Sequence, residues 1–170
     1  MKHVLISISL ISFSCTIYAQ EFPATEAEFD SIYEQRIQLE EIDGVYIPRN
    51  LDEAFVELKR LSSPTDLRKF QNASESTIRT KLHFGLGRWM IVNWGFYEGS
   101  RLSHFLRGAG LQHPDDMARV ILVCFHRHLN QKELNLQEEV AYYQALREKV
   151  RLAREGEKEV LSEQKHTRKE

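Results

Sequence analysis

The feature that most constrains the fold is an almost unbroken apolar run that directly follows a strong helix-start signal. His113-Pro114-Asp115-Asp116 places proline at the first helical position and two acids against the positive end of the helix dipole. The run V-I-L-V-C-F lies within the next residues, 117–129. A helix that is apolar on most sides must be surrounded by other elements. The sequence therefore predicts an all-α fold, a compact bundle of about five short helices around a buried helix over 114–129.

Helix-start signals place the surrounding elements. Residues 26–41 have apolar side chains at helical spacing, which favours a helix, and a hairpin turning at Asp43-Gly44 is the alternative. Asn50 with Glu53 forms a capping box that begins a second helix. Ser63-Pro64 begins a third, and a short helix is expected over about 101–107.

Two glycines lie inside a segment that otherwise has helical spacing. Residues 78–94 place their large apolar side chains on one face, so we expect a single helix there despite Gly85 and Gly87. Glycine within a helix costs roughly 1 kcal/mol relative to alanine. A close backbone crossing by the 114–129 helix, at its small residues Ala118 and Cys124, would offset this cost.

The end of the chain differs in composition from the rest. Residues 131–170 hold nine basic and nine acidic side chains, with apolar residues at spacings of three and four. This pattern predicts a long charged amphipathic helix that fades after Gly156 into a charged tail. The helix could fold back on the domain, which we favour, or serve as a coiled-coil or partner helix.

The first residues have the layout of a secretory signal peptide. Lys2 precedes an apolar run that is too short to span a bilayer, and Ala19 offers a small residue at the cleavage position. We expect export to the periplasm or the exterior, with a mature chain that begins at Gln20 and has no membrane span. A lipoprotein anchored at Cys15 is the less favoured alternative.

These signals divide the chain into four parts. We expect a signal peptide over 1–19, an N-terminal helix or linker over 20–42, a helical domain over 43–130, and the charged helix and tail over 131–170.

Charge and cysteine content exclude some functions. Cleavage would remove one of the 23 basic residues, leaving 22 against 25 acidic ones and a formal charge of −3. Phosphate binding needs a clustered basic surplus, so a nucleic-acid partner is not expected. Only Cys124 would remain, so the mature chain could form no internal disulfide bond. An exported chain of this size without a disulfide must rely on its apolar core.

Polar residues amid aromatic ones form the candidate binding site. The candidates are His83, Arg88, Asn93, Trp94, His104, His113 and Asp116. If these side chains are buried, they fix the packing of the helices by hydrogen bonding one another. If they are exposed, they form a recognition surface, because Trp and Arg dominate binding hot spots.

No catalytic, cofactor or metal signature is complete. There is no G-x-S-x-G elbow, and the glycines after His83 lack the spacing of a phosphate-binding loop. Cys124 lies in the most apolar run, where a thiol is inert. Cys124 and His128 share a helix face, but a structural zinc site needs four such ligands. We therefore expect neither a cofactor nor a metal ion.

The order of several short motifs resembles a small domain of unknown function found in bacterial proteins. The motifs are H-x-G-L-G-R at 83–88, N-W-G at 93–95 and H-P-D-D-M at 113–117, within a resemblance that covers about residues 43–130. The resemblance implies one compact domain there and implies no catalytic residues.

Two functional hypotheses follow from the sequence. The first is an exported, non-enzymatic binding module that contacts another protein through the 83–104 region or the C-terminal helix. The second is a small hydrolase-like enzyme outside the cytoplasm that uses His83 or His113 with Asp116 for proton transfer.

Overall fold

The computed structural model describes the backbone of residues 25–167 and the side chains of residues 25–158. Within that range the fold is almost entirely helical, which confirms the predicted all-α class. The predicted signal peptide, its cleavage site and Cys15 lie outside the described residues. The elements are α1 (Glu26–Arg36), β1 (Glu41–Ile42), β2 (Val45–Tyr46), α2 (Leu51–Leu61), α3 (Pro64–Asn72), α4 (Glu75–Thr80), a 3-10 turn (Leu82–Phe84), α5 (Leu86–Asn93), α6 (Arg101–Gly108), α7 (Pro114–Leu129) and α8 (Leu136–Thr167).

Helix α7 is the centre of the core, as predicted. It begins with Pro114 in its first turn and two acidic residues beside it. Residues 120–125 are all at most 1% exposed, which fits a helix that is apolar on most sides. The five helices α2 to α6 and the start of α8 all pack against it. The bundle therefore has the predicted arrangement around its central helix.

The N-terminal segment contains both of the structures that were considered for it. Helix α1 ends at Arg36, not near residue 41, and a hairpin follows in which Glu41 pairs with Tyr46. Its turn residues Asp43 and Gly44 both have positive φ, at 51° and 77°, as a tight two-residue hairpin turn requires. The prediction of a helix through residue 41 was therefore wrong over its last turn.

The predicted single helix over 78–94 is broken into three pieces. Helix α4 ends at Thr80, a 3-10 turn covers Leu82–Phe84, and α5 begins at Leu86. Gly85 lies at the second break, with φ −100° and ψ −89°. The apolar spacing could not reveal the break, because Ile78 in α4 and Leu82 in the 3-10 turn both still face the core.

The predicted close crossing is wrong for Gly85 and only partly correct for Gly87. A β-carbon added at Gly85 would meet no atom within 4 Å. A β-carbon added at Gly87 would lie 3.0 Å from His83 Nδ1 and 3.6 Å from Leu122 Cδ1. Helix α7 does approach Gly87, but through Leu122 and not through Ala118 or Cys124, and the tightest neighbour is the His83 ring.

The long helix α8 folds back on the domain with its first turns. Val140 and Tyr143 are each 3% exposed, and Gln144 Nε2 donates to the backbone oxygen of Gly110 at 2.9 Å. We predicted that the helix fades after Gly156. It instead continues to Thr167. Across residues 25–167, every helix is too short or too polar to cross a bilayer.

Four charged side chains join α4, α7 and α8. Arg127 Nη2 lies 2.8 Å from both Glu75 Oε1 and Glu139 Oε1, and Arg79 pairs with the same two carboxylates. The Glu139 side chain is only 5% exposed. A carboxylate this buried requires such partners, because an unpaired charge in the interior is strongly destabilising.

Candidate functional site

His83 is held in place by the first turn of α7. Its Nε2 lies 2.9 Å from Asp115 Oδ1, and its side chain is 9% exposed. Burial, reinforced by the charge of Arg119, lowers the pKa of His83 even though Asp115 favours the charged form. The neutral ring therefore donates its Nε2 proton to Asp115. Its Nδ1 is buried beside Gly87 and has no hydrogen-bond partner within residues 25–158.

Asp116 has a different partner from Asp115, which binds His83. Both of its oxygens accept hydrogen bonds from Arg147 of α8, at 2.6 and 2.8 Å, and Arg119 lies 3.4 Å away. Its side chain is 3% exposed. His113, three residues earlier, is exposed and lines the same groove as Asp116. The residues proposed for proton transfer thus do not converge. His83 and Asp116 are buried, each with a half-exposed partner, whereas His113 is exposed.

Three further candidates lie at other places on the bundle. Trp94 is completely buried, and its Nε1 has no partner in the described part of the chain. Asn93 Nδ2 donates to the Trp89 carbonyl one turn back, at 2.8 Å, within α5. His104 is exposed, and its Nδ1 lies 2.9 Å from the hydroxyl of Tyr33 on α1. These three residues have structural contacts and do not converge with His83 on one pocket.

A groove beside α8 lies next to two of the candidates, His113 and Asp116. It has a volume of about 650 Å³ and lies between α8 and the turn from α6 to α7. Four basic side chains at helical spacing line its α8 side, namely Arg147, Arg151, Arg154 and Lys158. Acidic neighbours offset much of this charge, because Arg147 binds Asp116 and Arg151 lies 2.7 Å from both Glu148 and Glu155.

An exposed strip on α5 and the corner before it includes one candidate, Arg88. Phe84 ends the 3-10 turn with 80% of its surface exposed, the largest value among the exposed apolar side chains of residues 25–158. Arg88 is exposed, and Val92, four residues later on the same helix face, is 63% exposed. Lys81 is exposed at the end of α4. We refer to Lys81, Phe84, Arg88 and Val92 as the Phe84 ridge.

Sequence reasoning selected Arg88 but missed Phe84 and Val92. Val92 was counted with the apolar face of a continuous helix, and Phe84 was not assigned a role. The available signal was charge, because residues 76–97 contain no aspartate or glutamate, in a chain with 25 of them.

The pair once considered for a metal has other contacts. Cys124 Sγ lies 3.7 Å from the Leu134 carbonyl, and His128 Nε2 lies 2.8 Å from Lys59 Nζ. Within the described residues, no three histidine, cysteine or acidic side chains cluster as metal ligands would.

Comparison with known proteins places part of the chain in context. No curated protein and no solved structure matches it. One family does match, over residues 47–129, from the end of the hairpin to the last residue of α7. Helices α1 and α8 lie outside this match, whereas His83, the Phe84 ridge and Asp116 lie inside it. Residues 47–129 are thus similar to the family described as a domain of unknown function (DUF6794).

Proposed function

We propose that the protein is exported and acts as a non-enzymatic binding module whose binding surface is the Phe84 ridge. The observation that carries the proposal is the 80% exposure of Phe84. Phe84 and Val92 are both exposed, with the exposed Arg88 between them in the chain, and a patch of exposed apolar side chains marks an interaction site whereas a single one does not. Arg88 follows one turn later, and arginine and aromatic residues are enriched at the centres of binding surfaces.

The contacts of the histidines support binding over catalysis. A general base must reach a substrate proton, yet His83 is buried and donates to Asp115. Asp116 is saturated by Arg147 and is 3% exposed. His83 thereby ties the corner that presents Phe84 to α7, and Asp116 ties α8 to α7.

A second contact surface on α8 has its own support. Tyr142, Leu146 and Val150 recur every four residues and are 55%, 41% and 38% exposed. They form an apolar strip on the charged helix that the domain does not cover. This strip suits a protein partner that binds a helix face.

Site-specific photocrosslinking in cells of the native host tests both surfaces. A photoreactive phenylalanine analogue at position 84 or 88 should give a discrete crosslinked product. The same analogue at Val56, which is 66% exposed on α2, is the matched control and should give none. Position 146 tests the α8 strip. Products that are equally abundant from 56, 84 and 88 would refute the ridge as the binding surface.

Export has a separate test. N-terminal sequencing of the protein from its native host should begin at Gln20. A chain that retains Met1, or one that carries lipid on Cys15, would contradict the proposal of ordinary secretion.

A further inference from the structure

We propose that the Phe84 ridge docks the protein onto an anionic lipid surface. This inference rests on the proposed function and names the partner of the same surface. It requires a side chain that can enter the bilayer interface, cations beside it, and a firm support behind it. Each of these is present around Phe84.

The support comes from His83. Its ring lies 5.6 Å from the Phe84 ring in an edge-on arrangement, and its Nε2 is fixed to Asp115 of α7. Phe84 therefore projects from a corner that is tied to the central helix of the core. A supported aromatic side chain loses little conformational entropy on binding, because its neighbours are already ordered.

The charge of the ridge differs in sign from that of the protein. The whole chain has a formal charge of −2, yet the charged residues among 76–97 are all basic. Arg79 is occupied by Glu75 and Glu139, whereas Lys81 and Arg88, three residues before and four residues after Phe84 in the chain, are exposed. Basic residues beside an exposed aromatic side chain match an anionic bilayer, in which headgroup charge overlies an apolar layer.

The size and shape of the ridge favour lipid over a protein partner. A stable protein interface buries about 800 Å² on each partner and has a rim of mixed polar groups. The ridge consists of four exposed side chains on α5 and the corner before it, two of them cationic, and the half-exposed Asp115 nearby is already engaged by the His83 ring. A lipid surface needs no shape complementarity, so such a small contact suffices for weak, reversible binding. Stable anchoring requires a second signal.

Trp89 provides an intrinsic probe of docking. It is half-buried on α5 beside Arg88, whereas Trp94, the other tryptophan, is fully buried. The mature chain is titrated with vesicles of phosphatidylglycerol and phosphatidylcholine, and with vesicles of phosphatidylcholine alone. We expect a blue shift of the tryptophan emission with the anionic vesicles and quenching by acyl-brominated lipid. Co-sedimentation should weaken at least tenfold between 50 and 500 mM salt. Salt has this effect because it shortens the distance over which the cations act, to about 3 Å near 1 M.

Variants assign the binding to the ridge. Phe84→Ala and Arg88→Glu should each weaken vesicle binding at least tenfold, whereas Val56→Ala, which removes a 66% exposed apolar side chain from α2, should not. Both ridge positions are exposed, so circular dichroism and thermal unfolding should match the parent protein. Absence of binding to anionic vesicles, or equal binding by all three variants, would overturn the lipid inference.

The two proposals can fail separately. If vesicles do not bind but position 84 still crosslinks to a discrete protein in cells, the ridge is a protein-binding surface and only the lipid inference is lost. If neither vesicles nor crosslinked products are found, the ridge is not a binding surface and both proposals are wrong.

Discussion

Asp116 and Arg147 form a two-point ion pair in which the carboxylate at the start of α7 accepts hydrogen bonds from Nε and Nη2 of the guanidinium, at 2.6 and 2.8 Å. The acid is 3% exposed and the arginine 39% exposed. This pair is one of the contacts that hold α8 against the central helix, 31 residues further along the chain.

Loss of Arg147 should therefore destabilise the domain. Arg147→Ala leaves a buried carboxylate with Arg119 as its remaining neighbour, and such a loss costs roughly 1–3 kcal/mol. Arg151→Ala is the control, because it breaks only exposed pairs on the same helix and should change little. Denaturant midpoints measure both effects. Equal midpoints for the two variants would show that the Asp116 pair does not stabilise the fold.

The two glycines before Arg88 should differ in their tolerance of alanine. Gly87→Ala places a β-carbon 3.0 Å from a His83 ring that Asp115 holds, so we expect a net loss of about 1 kcal/mol despite the better helix propensity of alanine. Gly85→Ala meets open space, so only the lower preference of the N-cap of α5 for alanine opposes it, at a cost of about 0.5 kcal/mol. Separate denaturant titrations test the difference. A stabilised Gly87→Ala protein would mean that the His83 ring moves freely.

The break that the structure shows at Gly85 indicates how far apolar spacing can predict this fold. Spacing and helix-start signals identified the central helix, α2, α3 and α6 around it, and the apolar face of residues 78–94, which they assigned to one helix instead of to α4 and α5. Spacing could not locate the break at Gly85, because the segments before and after it both pack against the core. Phe84, two residues after Leu82, faces away from that apolar face even in a continuous helix, but its spacing alone did not mark it as a binding residue. Contacts such as Glu139 with Arg79 join residues 60 positions apart, and nothing local in the sequence encodes them.

Cys124 should react slowly in the native protein. Its side chain is fully buried in α7, and burial raises the pKa of the thiol to about 12. Labelling by a thiol reagent at pH 8 should be slow, and it should accelerate sharply in denaturant, where the thiol has an ordinary pKa. Absorbance of the released reagent measures both rates. Rapid native labelling would place the core elsewhere.

Acid should weaken the attachment of the hairpin to α2. Hydrogen bonds from Arg49 lower the pKa of Glu53 to about 2, and Tyr46 also donates to this carboxylate. Because the folded-state pKa lies below the ordinary 4.5, this contribution is complete above pH 4.5 and is lost as the pH falls towards 2. The free energy of unfolding should decrease over that interval, and Glu53→Gln should flatten the decrease. An identical slope in the variant would contradict this assignment.

The four charged residues that join α4, α7 and α8 constrain how this chain can change during evolution. Arg79 and Arg127 each contact both Glu75 and Glu139, so replacing any one of them leaves an unbalanced charge near the core. A substitution at one position is therefore tolerated only after compensation at another. Arg79 and Glu75 lie within the family match, but Glu139 lies beyond it, on α8. Relatives that lack α8 should also have lost an arginine at position 79 or 127, whereas relatives that keep both arginines should keep the helix.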